Sequence, residues 1–482
     1  MHQLNRVKTS DRQHILRMTS NPALNRIQML LDEGSFQQIF AGIEQQAADV
    51  PKKPGDGVFA GFGKIEVRDV AVAAHDPTFA GGSLGEVGLR KMAKLFELAG
   101  RFGVPIVVLT DSSGARLQEG ARSLLAVGEL VKVANSVHGK IPIINVIIGG
   151  GVGGAAFTAE VGHIVIGVAK TGYMFLHGPR AVKHATGQDI SIMELGSVKS
   201  LAETSGMIDF LVEDEAEAIS LVKTILTYLP SNSREAPPKP GRAVRLPRPV
   251  QEETETRKLI AEIVDPDSFL EFNAFYAPNM ITGLARVDGT VVGIVANEPA
   301  KMNGYIDVKA CIKLSQFVNF CNIFNIPVLT IVDTPGFEPG KTAEHEGIVR
   351  EGADVYRAYL NASVPKITLL AGKAYGGAFI AMCSKGIGAD YVMVFPTSEA
   401  AVQPLEISAE ILYRKELEKL SGEEKTKAST QYVENLRKLA RGEALLSIGV
   451  ADEVINRDQA RKAVSAILHK LYENYVRFHL KH

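Results

Sequence analysis

The sequence contains no tryptophan, only three cysteines among 482 residues, and almost no net charge. Cys311, Cys321 and Cys383 cannot form a disulfide framework or a four-cysteine zinc site, so we expect buried, reduced thiols. Lys plus Arg is 53 and Asp plus Glu is 54, a balance with no general attraction to nucleic acid or to anionic membranes. These features exclude a disulfide-stapled mini-protein and predict no nucleic-acid partner.

Long hydrophobic runs are also missing. The most apolar stretch, residues 141–159, is interrupted by glycines and by Asn145, so it predicts a buried strand, a turn and a helix start. The first twenty residues contain no apolar run of the kind found in a signal peptide. We therefore expect no membrane insertion, and a location in the cytoplasm or an organelle matrix.

Proline is concentrated in one segment. Residues 229–250 contain six of the 22 prolines, and proline disrupts helices and central strands. The sequence therefore predicts an N-terminal domain (1–229), a proline-rich linker (230–250) and a C-terminal domain (251–482).

The two predicted domains repeat each other. Several elements recur in the same order 222 or 223 residues later, which predicts a duplicated domain. The matching positions are Pro105 and Pro327, Asp111 and Asp333, and Gly153–Gly154 and Gly376–Gly377.

Each half has an α/β pattern. Short apolar runs without alternation, at residues 106–110 and 143–148 and again at 328–332 and 367–371, are typical of strands buried on both faces of a parallel sheet. Apolar residues at helical spacing lie between them, as in residues 310–324. The sequence therefore predicts β-strand, glycine turn and helix units in both halves.

Several familiar motifs are matched only weakly. Gly149-x-Gly151-x-x-Gly154 resembles a dinucleotide fingerprint, but the next strand ends without the acidic residue that would hold a ribose. Residues 336–342 have one residue too few for a phosphate-binding loop. Lys301 precedes a methionine, as a biotinylated lysine could, but no spare segment forms a carrier domain. No metal site or catalytic triad is predicted.

The repeated Gly-Gly-Ala turns remain as candidates for chemistry. Glycines at a helix start leave several backbone amides accessible, and two converging amides can stabilise an oxyanion such as the enolate of a thioester. For one such turn alone, tight packing of helix against strand is the favoured explanation. Two turns at matching positions of a duplication favour a function.

The motifs of this chain resemble the carboxyltransferase (β) subunits of biotin-dependent acyl-CoA carboxylases, such as propionyl-CoA carboxylase. The resemblance covers nearly the whole chain. It implies tandem crotonase-like ββα-spiral domains and a hexamer of two stacked trimers. The segments that carry it are FAGGSLGEVGLRKM (79–92), TDSSGARLQEG (110–120), GGVGGAAFT (150–158), IPVLTIVDTPGFEPG (326–340) and GKAYGGAFIAM (372–382).

The resemblance also implies roles for residues. In the first turn, the amides of Gly153 and Gly154 hold the thioester oxygen of the acyl-CoA; in the second, Gly377 and Ala378 hold the ureido oxygen of biotin. These four residues are the expected catalytic residues. The wider sets are Gly153, Gly154, Ala155 and Ile380 for acyl-CoA, and Tyr375, Gly376, Gly377 and Ala378 for biotin.

The family mechanism needs partners. Carboxybiotin arrives on a separate biotin carboxyl carrier protein, which a biotin carboxylase charges, and no metal or nucleotide is expected in this chain. CO2 is released in the pocket, biotin removes the α-proton and the enolate attacks CO2. The site lies between the first domain of one subunit and the second domain of another.

Three alternatives remain open. The same site could run in reverse, as in a glutaconyl- or methylmalonyl-CoA decarboxylase subunit. A crotonase-type hydratase would need a carboxylate near the glycine turn, and Glu160 is the nearest in sequence. A non-enzymatic scaffold would bind no acyl-CoA. The chain departs from the family pattern at residues 206–211, at 401–412 and at its C-terminus.

Overall fold

The structure is a computed structural model that describes residues 20–45, 47, 49–239 and 252–480. It contains two eight-stranded mixed sheets, one in each half of the chain. Most of the predicted linker, residues 240–250, and most of the N-terminal segment lie outside the described residues. The domain boundaries themselves stay a prediction.

The strands of the first sheet are β1 (Gln37–Gln38), β2 (Val58–Ile65), β3 (Arg68–His75), β4 (Ile106–Ser112), β5 (Ile143–Val152), β6 (Ile164–Val168), β7 (Tyr173–Phe175) and β8 (Phe210–Val212). Those of the second sheet are β9 (Leu270–Phe272), β10 (Met280–Val287), β11 (Thr290–Asn297), β12 (Val328–Thr334), β13 (Lys366–Tyr375), β14 (Tyr391–Val394), β15 (Glu399–Ala401) and β16 (Glu453–Val454).

The helices of the first half are α1 (Pro22–Leu30), α2 (Glu86–Phe102), α3 (Ala121–His138), α4 (Gly154–Glu160), α5 (Pro179–Thr186), α6 (Ile192–Gly196), α7 (Val198–Thr204) and α8 (Glu215–Tyr228). Those of the second half are α9 (Glu255–Ile263), α10 (Val308–Ile323), α11 (Lys341–Glu346), α12 (Ile348–Asn361), α13 (Gly376–Ala381), α14 (Leu405–Leu412), α15 (Arg414–Leu417), α16 (Gly422–Ala440), α17 (Gly442–Ser447) and α18 (Ala460–Tyr475).

The two sheets have matching strand orders, β1-β2-β3-β4-β5-β6-β8 and β9-β10-β11-β12-β13-β14-β16. The first three strands of each sheet pair antiparallel and the others pair parallel. In each half a short extra strand, β7 or β15, pairs with the strand that leads into the glycine turn. The duplication predicted from the sequence is therefore confirmed, and the paired sheets agree with tandem crotonase-like domains.

The buried runs and the helical spacing both formed as predicted. The four apolar runs lie in β4, β5, β12 and β13, and their aliphatic side chains are buried except for the half-buried Ala371. Helix α10 begins after Asp307, whose carboxylate accepts the amide of Ala310 and caps the helix. Its apolar stripe, from Ala310 to Phe324, is buried in the core because residues three and four apart share one helix face.

The two halves share one hydrophobic core rather than meeting through the linker alone. The ring of Phe210 on β8 packs edge-on against Phe272 on β9, with centroids 4.6 Å apart. The amide of Asn273 donates to the carbonyl of Asp209 at 2.9 Å. The departure at residues 206–211 therefore lies at the junction of the two halves.

The first part of the predicted linker packs on the second half. The side-chain amide of Asn325 donates to the carbonyls of Ser233 and Glu235, at 2.9 and 2.8 Å. The hydroxyl of Tyr475 on α18 donates to the side-chain oxygen of the same asparagine. Asn325 thus joins this segment to the C-terminal helix.

Two smaller expectations can also be compared with the structure. All three cysteines are buried and free of disulfides. In the part of the chain that the structure describes, no helix is both long and apolar enough to cross a bilayer.

Candidate active site

The first glycine turn joins β5 to α4. Gly153 has a φ of 56°, in the left-handed region that favours glycine, so the chain reverses direction at one residue. Its amide donates to the carbonyl of Phe175 on β7 at 2.9 Å, and its carbonyl accepts the amide of Phe157. Gly154 and Ala155 are the first two residues of the helix, where an amide has no partner within the helix. The turn therefore presents these two adjacent amides as donors.

The second glycine turn joins β13 to α13 and repeats this geometry. Gly376 has a φ of 59° and corresponds to Gly153. Gly377 and Ala378 follow it in the first turn of α13, where their amides have no partner within the helix. Ala378 is fully buried, whereas Gly377 is exposed. The structure thus gives the two halves one turn each, with two adjacent amides in each turn.

Neighbouring side chains crowd one glycine in each turn. A Cβ on Gly154 would come within 2.8 Å of the side chain of Val127 on α3. A Cβ on Gly377 would come within 3.3 Å of the ring of Phe337, and the hydroxyl of Tyr356 donates to the carbonyl of Gly377 at 3.1 Å. Close packing therefore contributes to the choice of glycine, alongside any role for the amides.

A buried polar network supports the second turn. The hydroxyl of Tyr375 donates to Glu399 on β15 at 2.6 Å, and Arg437 and Arg441 also donate to that carboxylate. Burial alone would raise the pKa of Glu399, but the hydrogen bonds from Tyr375 and the two arginines lower it below its usual value. The side chain of Tyr375, expected at the biotin, is buried and instead anchors β13 to β15.

Sequence reasoning missed Glu399 and its two arginines. Glu399 precedes the departure at residues 401–412 by two positions, and no motif marks it. The carbonyl of Val402, within that departure, lies 3.2 Å from the position of a Cβ on Gly376. The divergent segment therefore borders the second turn, although the turn keeps its sequence.

Exposed apolar side chains lie beside both turns. Phe157 on α4 is 55% exposed, and Leu176, whose carbonyl lies near Gly153, is 48% exposed. Beside the second turn, Ile380 on α13 is 41% exposed and Val402 is 89% exposed. Ile380, expected at the acyl group, is therefore open to solvent within one chain. Apolar patches of this kind are typical of surfaces that bind a partner or a ligand.

The geometry does not support two of the alternatives, a crotonase-type hydratase and a dinucleotide-binding enzyme. Glu160 is the last residue of α4, about 9 Å along the helix axis from Gly154 at 1.5 Å per residue, so it does not border the turn. Gly149 and Gly151 lie within β5 rather than in the turn after it, unlike the glycines of a dinucleotide-binding loop. Among the described residues, no cluster of His, Cys, Asp or Glu could hold a metal ion.

Comparison with known proteins decides the family. The carboxyl transferase domain family matches residues 17–482, nearly the whole chain. The chain belongs to this family. The prediction of an enzyme of the biotin-dependent acyl-CoA carboxyltransferase class is thereby confirmed.

Individual relatives of this carboxyl transferase have different names. The propionyl-CoA carboxylase beta chain of Saccharopolyspora erythraea is 40% identical over 82% of this chain and 77% of its own length. The methylmalonyl-CoA decarboxylase subunit alpha of Propionigenium modestum is 36% identical over 85% of this chain and 82% of its own length. Carboxylase and decarboxylase subunits are thus similar to this chain to nearly the same degree.

A solved structure agrees in fold. The crystal structure of transcarboxylase 12S with hydrolysed methylmalonyl-CoA bound has a TM-score of 0.87 and 35% sequence identity. The match covers 94% of this chain and 90% of that chain. The match in fold therefore extends over both halves of the duplication.

Proposed function

We propose that this chain is a carboxyltransferase subunit that moves a carboxyl group between carboxybiotin and the α-carbon of a short acyl-CoA. The observation that carries the proposal is the pair of matching glycine turns, each with two adjacent backbone amides. Two turns fit a reaction in which two different oxygens take on negative charge.

The first turn would hold the acyl-CoA thioester. Gly154 and Ala155 would donate to the carbonyl oxygen as it becomes an enolate oxygen. Each well-placed donor of this kind lowers the activation barrier by about 3–4 kcal/mol. Because the amide of Gly153 already donates to Phe175, Gly153 would act as the cap that aims the next two amides. We therefore propose Gly154 and Ala155 as the donors, in place of Gly153 and Gly154, which the sequence led us to expect.

The second turn would hold the ureido oxygen of biotin at the amides of Gly377 and Ala378. The residues fit such a group, because Gly377 and Ala378 lie in the first turn of α13, where backbone amides have no partner within the helix, and a Cβ at Gly377 would crowd Phe337. When bound, biotin on its carrier supplies the carboxyl group and takes up the α-proton. Tyr375 would keep the turn in place through Glu399 rather than contact biotin with its hydroxyl.

The complete site would form between copies of the chain. The exposed Phe157 and Leu176 beside the first turn, and Ile380 and Val402 beside the second, would be buried when the first half of one copy meets the second half of another. Transcarboxylase 12S, the relative of known structure, assembles as a hexamer. By the same relationship we propose a homohexamer served by a biotin carboxylase and a biotin carboxyl carrier protein. Location in the cytoplasm or an organelle matrix stays a prediction.

A decarboxylase subunit is the second candidate. The methylmalonyl-CoA decarboxylase relatives match as broadly as the carboxylase relatives, and the same two turns serve both directions. The direction would depend on the partner subunits and on the acyl-CoA. Transfer assays in both directions, with biotinylated carrier and with propionyl-CoA or methylmalonyl-CoA, separate the two candidates by their relative kcat/KM.

Complementation between subunits tests the proposed site. Ala155→Pro removes an amide from the first turn and Ala378→Pro removes one from the second, and proline is tolerated in the first turn of a helix. Each variant alone should be inactive in transfer. After subunits are exchanged between the two variants, the mixed oligomers should regain activity, because some sites then contain two intact turns. If subunits exchange, the folds are intact and no activity returns, both turns of one site come from the same chain.

A further inference from the structure

The strand before each glycine turn contains a bulge. Between β4 and β5, Thr110 pairs with Ile147 and Ser112 pairs with Gly151, so one residue on β4 faces three on β5. Such a bulge interrupts the ladder and leaves amides of the bulged strand without partners on the neighbouring strand. Beyond the bulge, β5 still pairs with β4 at Gly151, and on its other edge it pairs with β7 in place of β6.

The same bulge recurs in the second half. Val332 pairs with Leu370 and Thr334 pairs with Ala374, so one residue of β12 again faces three of β13. Beyond the bulge, β13 pairs with β15 up to Tyr375, the residue before the glycine turn. The two bulges therefore occupy equivalent places, three residues before the left-handed glycine of each turn.

A carboxylate fills each bulge. Asp111 lies opposite the first bulge, and a Cβ on Gly149 would overlap its carboxylate. The amide of Gly150 donates to Asp111 Oδ1 at 3.4 Å. Asp111, the residue of β4 opposite the bulge, thus accepts a hydrogen bond from the Gly150 amide, which has no backbone partner on β4.

Asp333 repeats this arrangement with a shorter hydrogen bond. A Cβ on Gly372 would overlap its carboxylate, and the amide of Lys373 donates to Asp333 Oδ1 at 2.9 Å. The backbone amide of Asp333 itself donates to the side chain of Asn297 on β11 at 3.2 Å. Asp333 is thereby joined to two neighbouring strands, through its carboxylate to β13 and through its backbone amide to β11.

The two carboxylates differ in their other contacts. Arg26 on α1 donates to Asp111 Oδ2 at 2.9 Å and also pairs with Glu215 on α8. Asp333 has no such ion pair among the described residues, and it borders a cavity of about 970 Å³. Removal of the Asp333 carboxylate would therefore leave no arginine or lysine without its ion-pair partner, and water from the cavity could enter the space.

We infer that Asp111 and Asp333 are twin positioning residues for carboxyl transfer, each holding the bulge that aims its own glycine turn. The inference rests on the proposed assignment of the first turn to acyl-CoA and the second to biotin. Because only two residues separate each bulge from its turn, a shift of the bulge is passed to the amides proposed to bind the oxyanion. A misplacement of about 1 Å at such amides can lower the rate about 100-fold.

Three variants distinguish the role of each aspartate as a hydrogen-bond acceptor from the effect of its negative charge. Asp333→Ala removes the acceptor for the Lys373 amide, whereas Asp333→Asn keeps an oxygen at that position. Asp111→Ala is the matched change in the other half, and Arg26 keeps its pairing with Glu215 in that variant. All three are compared with the wild-type oligomer in steady-state transfer, with the KM values for biotinylated carrier and for acyl-CoA measured separately.

The two alanine variants should each change the KM of a different substrate. Both alanine variants should lower kcat. In addition, Asp333→Ala should raise the KM for the carrier at least about ten-fold with little change in the KM for acyl-CoA, and Asp111→Ala should have the opposite effect on the two KM values. Asp333→Asn should recover most of the loss. Equal effects on both KM values, no effect, or failure of the asparagine to rescue a folded protein would each overturn the inference.

Amide hydrogen exchange gives a readout independent of activity. Asp333→Ala should speed exchange in residues 371–379 and leave residues 148–156 unchanged, with the opposite result for Asp111→Ala. Unchanged exchange in both segments would contradict the positioning role. If the wild-type protein transfers no carboxyl group at all, the proposed function fails, while the exchange pattern still decides whether each carboxylate holds its turn.

Discussion

The amide of Gly153 donates to the carbonyl of Phe175 at 2.9 Å, and so joins the first glycine turn to β7. This hydrogen bond occupies one of the amides that the sequence offered as an oxyanion donor. The next two amides, those of Gly154 and Ala155, lie at the open start of α4. Gly153 is therefore held by β7, and Gly154 and Ala155 are the donors that we propose for the oxyanion, an order that the run of glycines does not reveal.

Removal of an amide from the second turn should abolish transfer while acyl-CoA still binds. Ala378→Pro deletes one of the donors that we propose for the biotin oxygen, and loss of one such donor costs about 100- to 1,000-fold in kcat. Transfer kinetics and calorimetry with acyl-CoA measure the two effects. Glu423→Pro, in the first turn of the exposed helix α16, is the control for proline itself. Transfer at the wild-type rate by folded Ala378→Pro would remove this turn from the mechanism.

Acyl-chain selectivity should depend on Ile380. Its branched apolar side chain, 41% exposed within one chain, is expected to limit the length and charge of the acyl group. Ile380→Ala should improve kcat/KM for longer acyl-CoAs relative to propionyl-CoA by about 10-fold or more, since one methylene of fit is worth about 1–3 kcal/mol. Ile448→Ala, directly after α17 and 68% exposed, is the matched control. Faster turnover of a dicarboxylic acyl-CoA such as glutaryl-CoA than of propionyl-CoA by the wild type would contradict this pocket.

Acid should destabilise the first half through His75. Burial, with the nearby charge of Arg26, lowers the pKa of His75 to about 4, whereas an unfolded histidine titrates near 6.5. Between these values the unfolded chain binds a proton that the folded chain does not, so stability is lost as the pH falls from about 6.5 to about 4.

The size of this loss can be measured with one variant. A shift of this size corresponds to about 3 kcal/mol. His75→Asn, which copies Asn297 at the matching position of the second half, should lose less stability over this pH range in urea unfolding experiments. If the two proteins lose stability in parallel, protonation of His75 is not linked to unfolding.

The junction of the two halves should depend on Lys313. Its buried ammonium on α10 donates to the carbonyls of Asn273, Tyr276 and Ala277, the loop that follows β9. Lys313→Met would leave these carbonyls without a donor and should lower the free energy of unfolding by about 3 kcal/mol. Thermal unfolding of the intact oligomer measures the change. Gln316→Met, on the exposed side of the same helix, should change it little; a Lys313→Met protein as stable as that control would show that water replaces the ammonium.

Much of the fold could be predicted from local sequence patterns. The run from 328 to 332 is a strand because it has no polar face, and residues 310–324 form a helix because their apolar residues recur every three or four positions. Recurrence of Asp111 as Asp333 and of Gly153 as Gly376 predicted that both halves would be built alike. These signals depend only on spacing along the chain.

The carboxyl transferase family and its two glycine turns were thus determined by the sequence. The tertiary structure alone decided which amides remain free, because that depends on β7, a strand of three residues with no periodicity to predict its pairing with β5. It likewise decided that Glu399 would bind Tyr375, Arg437 and Arg441, and that each aspartate would enter a bulge in the next strand. Such contacts join residues far apart in the chain, and they form only when the sheet brings their strands side by side.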